Sequence, residues 1–220
     1  MRIGLLADIH ANLPALESVL ADMPPVDIHV CVGDIIGYNP WPAECVSRIQ
    51  NLCSIVVQGN HDRKVRTPNR YRHNRMAEAG LSLALEQLSE TQLAWLESLP
   101  RTATISETYL MVHSHPDESK RGEYVYPDDF PKIPGYVESY RGCILGHTHV
   151  QHATKIDDCL IVNPGSVGQP RDGDNRAAYA ILDTSTDTIE LCRVEYDIER
   201  VQEKIRETGL PERTATRLSD

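Results

Sequence analysis

No apolar stretch in this chain approaches the roughly 18 residues that a membrane-crossing helix needs, so no membrane partner is expected. Cysteines at C-x-x-C spacing are missing too. Cys31, Cys45, Cys53, Cys143, Cys159 and Cys192 fall irregularly, and Cys31, Cys143 and Cys192 sit inside apolar runs. That pattern predicts free thiols in a reduced chain rather than a disulfide framework. Positive charge is scarce: 22 Lys and Arg stand against 32 Asp and Glu, a net charge of -10. A broad basic surface for duplex nucleic acid is therefore not expected. The local exception is Arg63, Lys64, Arg66, Arg70, Arg72 and Arg75, which reads as a solvated helix face. The N-terminal residues enter a strand bearing Asp8 instead of a secretory apolar region. No Ser/Gly linker or composition break divides the 220 residues. One cytoplasmic domain over 1–220 is the expectation, with a homo-oligomer left open.

What the chain does have is five short apolar runs, each closed by residues that bind divalent metals. Ile3 to Ala7 ends on Asp8 and His10, and Ile28 to Val32 on Gly33-Asp34. Ile55 to Val57 leads into Gly59-Asn60-His61-Asp62. Tyr109 to Val112 stops at His113, and Cys143 to Leu145 at Gly146-His147-Thr148-His149. Short apolar runs bounded by turn residues read as buried strands. Sites in open α/β sheets form where loops leave the carboxyl ends of strands. Ligands spread along the sequence can thus converge on one crevice.

Between the first three strands, residues 12–20 and 40–50 have helical patterns, Asn12 being the cap of the first. This β-α-β-α-β opening predicts parallel strands with helices on their faces. Residues 71–88 form a further helix, and Ser89 with Gln92 makes a capping box ahead of another. Strands follow at 102–105, 109–113, 143–146, 158–162, 177–182 and 188–196, then a helix capped by Asp197. The 114–142 stretch, with its tyrosines, prolines and acids, reads mostly as a loop facing substrate.

Aspartate oxygens, imidazole nitrogens and the Asn60 carbonyl, without thiolate, suit manganese, iron, zinc or a similar divalent ion. The set is too rich for one catalytic ion, which takes about three protein ligands plus water. Two ions sharing a bridging carboxylate would use all of it and could clamp a phosphoryl oxygen beside a bridging hydroxide. Manganese is the first expectation, with iron, zinc, nickel or cobalt as alternatives.

D-I-H at 8–10, G-D at 33–34, G-N-H-D at 59–62, His113 and G-H-T-H at 146–149 together resemble the calcineurin-like metallophosphoesterases. N-P-G-S-V-G-Q-P-R-D-G at 163–173 and G-D-I-I-G-Y-N-P at 33–40 resemble their small prokaryotic phosphodiesterase and diadenosine-tetraphosphatase-like branch. The resemblance implies an α/β fold of four layers (αββα), a β-sandwich of two mixed sheets flanked by helices. It implies that Asp8, His10 and His149 hold one metal and that Asn60, His113 and His147 hold the other, with Asp34 bridging. His61 would stabilise developing charge or protonate the leaving oxygen, with Asp62 orienting its ring.

Three positions depart from the usual motifs. Ala11 stands where glycine is usual, Ser114-His115-Pro116 where Gly-Ser is more common, and Asn39 in a turn in which Asn tolerates positive φ. Asn12, Arg171 and His115 are the expected substrate contacts, and the 163–173 loop the expected wall of the site. The implied activity is hydrolysis of a phosphodiester or phosphomonoester by hydroxide held between two metals. The substrate would be a small nucleotide or phosphodiester, or a phosphoprotein. A DNA nuclease and a non-catalytic metal-binding scaffold are the competing readings. The scaffold reading expects missing ligands, and none is missing.

Overall fold

The computed structural model describes residues 1–220. Strand β1 (Arg2–Leu6) runs parallel to β2 (Ile28–Cys31), with Ile3 opposite Ile28 and Leu5 opposite Val30. β2 is in turn parallel to β3 (Cys53–Val56). Helices α1 (Leu13–Asp22) and α2 (Pro42–Leu52) make the crossovers. Asn12 caps α1 by accepting the Ala15 N–H at 3.2 Å, so the chain turns into the helix directly after the D-I-H segment.

The middle of the chain is helical: α3 (Asn60–Arg63), α4 (Arg75–Gln87) and α5 (Glu90–Ser98). The Ser89–Gln92 capping box forms in both directions. The basic segment is not a helix face, however. Turns and a 3-10 turn at Pro68–Tyr71 fill most of 64–74, and α4 begins at Arg75. Thr67-Pro68 explains this, since the residue before proline is pushed out of the helical region.

Strands β4 (Thr102–Ile105) and β5 (Tyr109–Val112) form a hairpin. β6 (Gly142–Ile144), β7 (His152–Ile156) and β8 (Cys159–Asn163) complete the second sheet, in the order β4-β5-β6-β8-β7. β9 (Ala177–Asp183) and β10 (Thr188–Val194) return to the first sheet, whose order is β10-β9-β1-β2-β3. α6 (Ile198–Glu207), capped by Asp197, and α7 (Glu212–Thr216) follow. Both sheets are mixed, as expected.

Side-chain alternation along each strand builds the layers. Ile3, Leu5 and Val30 of one sheet meet Met111, Ile144 and Val162 of the other in the inter-sheet core. Leu6, Leu16, Ile49 and Leu81 pack under the helices on the outer face of the first sheet. On the second sheet, Leu110, Val112 and Ile161 point outward and are covered by Phe130, Ile133 and Val137. The 114–142 segment is therefore a packed outer layer rather than a free loop. Its principal helix, Pro127–Tyr136, is 3-10, in keeping with Pro131 and Pro134, which cannot donate α-helical N–H bonds.

Candidate metal centre

The chain leaves β1, β2, β3, β5 and β6 at one edge of the sandwich, and each exit delivers part of the site. Asp8, His10, Asp34, His147 and His149 all adopt positive φ, between 48° and 70°. Non-glycine residues take this left-handed conformation at a cost of about 1–3 kcal/mol each and keep it only where surrounding structure over-determines it. Here the turns aim five side chains inward within two to five residues of a strand end. The 163–173 segment walls the site as expected. Ser166 Oγ donates to the Asp8 carbonyl at 2.6 Å, and the Gly168 N–H to the same carbonyl at 3.1 Å. Gly168 has no room for a Cβ, which would strike the Ile9 carbonyl.

Ligand-type atoms of Asp8, His10 and His149 gather in one buried group, and those of Asp34, His113 and His147 in a second. Asp34 joins the two: its Oδ2 lies 3.3 Å from His113 Nε2 and 3.8 Å from His10 Nε2. Its Oδ1 accepts the His61 backbone N–H at 2.8 Å. Asn60 Oδ1 lies 3.1 Å from His113 Nε2, and the Asn60 amide donates to the Tyr71 hydroxyl. Asp8 Oδ2 accepts the His147 N–H at 2.9 Å, while its Oδ1 is buried without a partner, 3.3 Å from His149 Nε2.

Backbone carbonyls fix the imidazole tautomers. His10 Nδ1 donates to Ile36 O (3.0 Å), His149 Nδ1 to Gln169 O (2.6 Å) and His113 Nδ1 to Val32 O (2.7 Å). His147 is held through Nε2, which donates to Gly122 O at 3.2 Å. With Nδ1 protonated, His10 and His149 present their Nε2 lone pairs to each other at 3.0 Å. Burial holds both rings well below their usual pKa, so no proton relieves that contact. Opposed lone pairs beside an orphaned carboxylate oxygen suit a cation, and backbone carbonyls that accept the far ring N–H are how metal-binding histidines are oriented.

Charge across the second group follows the same logic. Burial works to raise Asp34, but the His113 and His61 imidazoles outweigh it and hold the carboxyl well below its usual range. Burial likewise presses His113 down, yet Asp34 and Asp8 lift it to about 10. Asp8 is pushed up to about 7 by burial. Two buried carboxylates facing one imidazole are the kind of negative field that favours a cation.

Several other residues take different places from those expected. Asp62 does not orient the His61 ring. Its Oδ2 accepts the N–H groups of Asp34 (2.8 Å) and Gly59 (3.0 Å), and its Oδ1 those of Ile35 (2.9 Å) and Ile36 (3.4 Å). It therefore ties the two loops that carry Asp34 and Asn60. His61 Nδ1 is buried without a partner against Gly37, leaving Nε2 as the reachable nitrogen. The His61 ring packs among Tyr38, Tyr71 and His10 at centroid distances of 4.8–4.9 Å. Burial lowers its pKa to about 4.

Asn12 is fully buried, with its amide oxygen spent on the α1 cap and its nitrogen on Gly168 O at 3.0 Å. It is a structural tie and not a substrate contact. His115 stands outside the ligand groups, edge-on to Tyr136 at 4.7 Å, with Nδ1 accepting the Asp117 N–H. Arg171 forms no ion pair with an Asp. It donates to Gln169 Oε1 (2.9 Å) and Tyr38 OH (3.3 Å), and its Nε is buried without a partner. The positive φ expected at Asn39 belongs to Tyr38, and the Asn39 amide donates to His10 O at 2.9 Å. Sequence reasoning missed Tyr71 and Gly122. Neither sits in a recognisable motif, and only the fold brings them to the centre. Tyr124 stacks on His147 with ring centroids 4.2 Å apart and planes 6° from parallel.

Comparison with known proteins agrees with this architecture. A metallophosphoesterase from Sphaerobacter thermophilus has a crystal structure that superposes with a TM-score of 0.87, at 37% identity over 100% of this chain and 99% of that one. An uncharacterized protein of Methanocaldococcus jannaschii is 35% identical over 98% of this chain and 96% of its own length. The phosphodiesterase YfcE of Escherichia coli is 24% identical over 83% of this chain and 88% of its own. The calcineurin-like phosphoesterase superfamily domain matches residues 1–187, the span that contains every strand-end ligand described above. Fold, motif order and sequence likeness together make this chain a member of the calcineurin-like phosphoesterase superfamily.

Proposed function

We propose that the chain is a single-domain, dinuclear metal-dependent phosphoesterase for phosphodiester or phosphomonoester bonds in small substrates. The observation that carries this reading is the position of Asp34 Oδ2 between His113 Nε2 and His10 Nε2, 3.3 and 3.8 Å away. One carboxylate oxygen shared by two buried ligand groups suits a bridge. Asp8, His10 and His149 would hold one divalent ion, and Asn60, His113 and His147 the other. Bound ions supply Lewis-acid polarisation of a phosphoryl oxygen and a nucleophile active at neutral pH.

The chain's own residues supply orientation and hydrogen bonding. With its pKa held near 4 by burial, His61 is a neutral imidazole at pH 7. It acts as a donor toward charge that develops on the phosphoryl group or leaving oxygen, rather than as a standing cation. The reachable Nε2 is the atom for this, and Tyr38 and Tyr71 hold the ring in place. Arg171, steadied by Gln169 and Tyr38, offers its remaining N–H donors to a substrate oxygen. Asp62 fixes the spacing of the loops that bear Asp34 and Asn60.

The test is a hydrolysis panel on chelated protein reloaded with manganese, iron, zinc, nickel or cobalt. It compares an aryl phosphomonoester, an aryl phosphodiester, cyclic nucleotides and dinucleoside polyphosphates. Metal-dependent turnover of at least one ester is expected. Tight binding of ions without turnover of any ester would overturn the reading in favour of a scaffold.

A further inference from the structure

Residues 123–126 run extended from the turn at Arg121 and Gly122. Side chains alternate along such a segment. Val125 is buried and packs with Leu110 and Phe130 in the outer core, which leaves Tyr124 and Tyr126 at the surface, 49% and 46% exposed. Tyr124 nevertheless lies flat on a buried imidazole. Its ring is 4.2 Å from that of His147, with planes 6° from parallel. Of the four imidazoles in the two ligand groups, His147 is the least firmly held. It is 8% exposed, against 0–3% for His10, His149 and His113. Its bond to a backbone carbonyl is also the longest, 3.2 Å against 2.6–3.0 Å. One N–H···O bond fixes where the ring edge points but lets the ring rotate about the bond. A parallel ring against its face limits that rotation. His113, tilted by 58° at 5.0 Å, does not lie along the His147 plane.

We infer that Tyr124 is a positioning residue for the ion site of Asn60, His113 and His147. With Nε2 given to Gly122 O, the Nδ1 lone pair is the one left for an ion, and it lies in the plane of the ring. Tyr124 holds that plane, and so the direction in which Nδ1 points. The inference rests on the two-ion reading proposed above. It gives the exposed segment 123–126 a part in holding one ion and not the other, since His10 and His149 take their orientation from Ile36 O and Gln169 O, outside that segment. Partners that orient a metal-binding histidine change ion affinity by about 10–100-fold, so loss of the Tyr124 ring should show at one site only.

The experiment is calorimetric titration of manganese into chelated protein, for wild type, Tyr124→Ala, Tyr124→Phe and Tyr136→Ala, with the melting temperature of each chelated protein. Wild type is expected to take up two ions per chain. Tyr124→Ala should bind one of them at least tenfold more weakly and the other as wild type does, at an unchanged chelated melting temperature. Tyr124→Phe keeps the ring and should restore both affinities. Tyr136, an exposed tyrosine of the same outer layer that stacks on His115 instead, is the control, and its variant should match wild type. Unchanged affinities in Tyr124→Ala overturn the positioning role and leave the two-ion reading standing. Equal weakening of both ions with a lowered chelated melting temperature also overturns it, and makes Tyr124 a support of the fold. Failure of Tyr124→Phe to restore the weakened ion overturns the stacking. A wild type that takes up one ion or none overturns the two-ion reading and the inference with it.

Discussion

The Nε2 atoms of His10 and His149 face each other at 3.0 Å, each ring having already given its Nδ1 proton to a backbone carbonyl. Such a contact is repulsive until a cation enters. Removal of divalent ions by chelation is therefore expected to lower the melting temperature, and manganese to restore it. At an ion concentration 100 times the dissociation constant the gain is about 2.7 kcal/mol. Scanning calorimetry with and without chelator checks this, and His149→Ala should bind fewer ions per chain by elemental analysis. An unchanged melting temperature would mean that the two groups do not hold ions.

His61 and Asp62 are adjacent in sequence but should separate in experiment. Asp62 accepts four backbone N–H groups. Asp62→Ala leaves buried donors unpaired and is expected to cost about 3 kcal/mol of stability. His61→Ala should leave melting temperature and ion content near wild type while reducing turnover about 100-fold. Denaturant melts, elemental analysis and kcat on the same preparations distinguish the two. Equal loss of stability in both variants would defeat the division of labour.

Gly37 offers a subtler probe of His61. It has φ of +98°, and a Cβ there would strike His61 Nδ1. Gly37→Ala is expected to displace the imidazole, lowering kcat at least tenfold with ion content retained. The reduction should not add to that of His61→Ala in a double-mutant cycle.

Acid should weaken the metal-free protein in a defined window. His61 and His147 are held near 4 and 3 by burial, and burial also depresses His10 and His149. In the unfolded chain each of these takes a proton near 6.5. Burial raises Asp8 and Asp62 to about 7, which opposes the trend over the same range. Below pH 6.5 His113, lifted to about 10, is protonated folded and unfolded alike, so four histidines against two carboxylates leave the unfolded chain binding more protons there. Stability is then expected to fall as the pH drops from 6.5 toward 4. Melts of chelated protein at pH 7 and pH 5 test the sign, and an equal or higher melting point at pH 5 would contradict it.

Ala11 is buried at φ of +54°, a conformation that favours glycine. Ala11→Gly should relieve left-handed strain and stabilise by up to about 1 kcal/mol, partly offset by greater freedom of the unfolded chain. Denaturant melts of the two proteins check it.

The strand-end residues were legible in the sequence because apolar runs and turn chemistry are local signals. So were the Asn12, Ser89 and Asp197 caps. β7 was not, since His152–Ile156 is a partly exposed edge strand with polar residues on most positions. Asp62 misled for another reason. Its position after His61 suggests a partner for the ring, whereas its role depends on N–H groups 26 to 28 residues away in sequence. The turn at 37–39 showed the same limit, because its positive φ angles fall on Gly37 and Tyr38, beside the asparagine that composition favours. Chemistry-bearing residue types announce themselves; the contacts that orient them are set by the fold.

The Gly122 carbonyl that receives His147 Nε2 belongs to a segment 25 residues earlier in the chain. One short stretch of backbone in the outer layer thus sets how a ring of the candidate centre is turned. A substitution that moved that backbone would turn the His147 ring without touching any residue of the G-H-T-H segment.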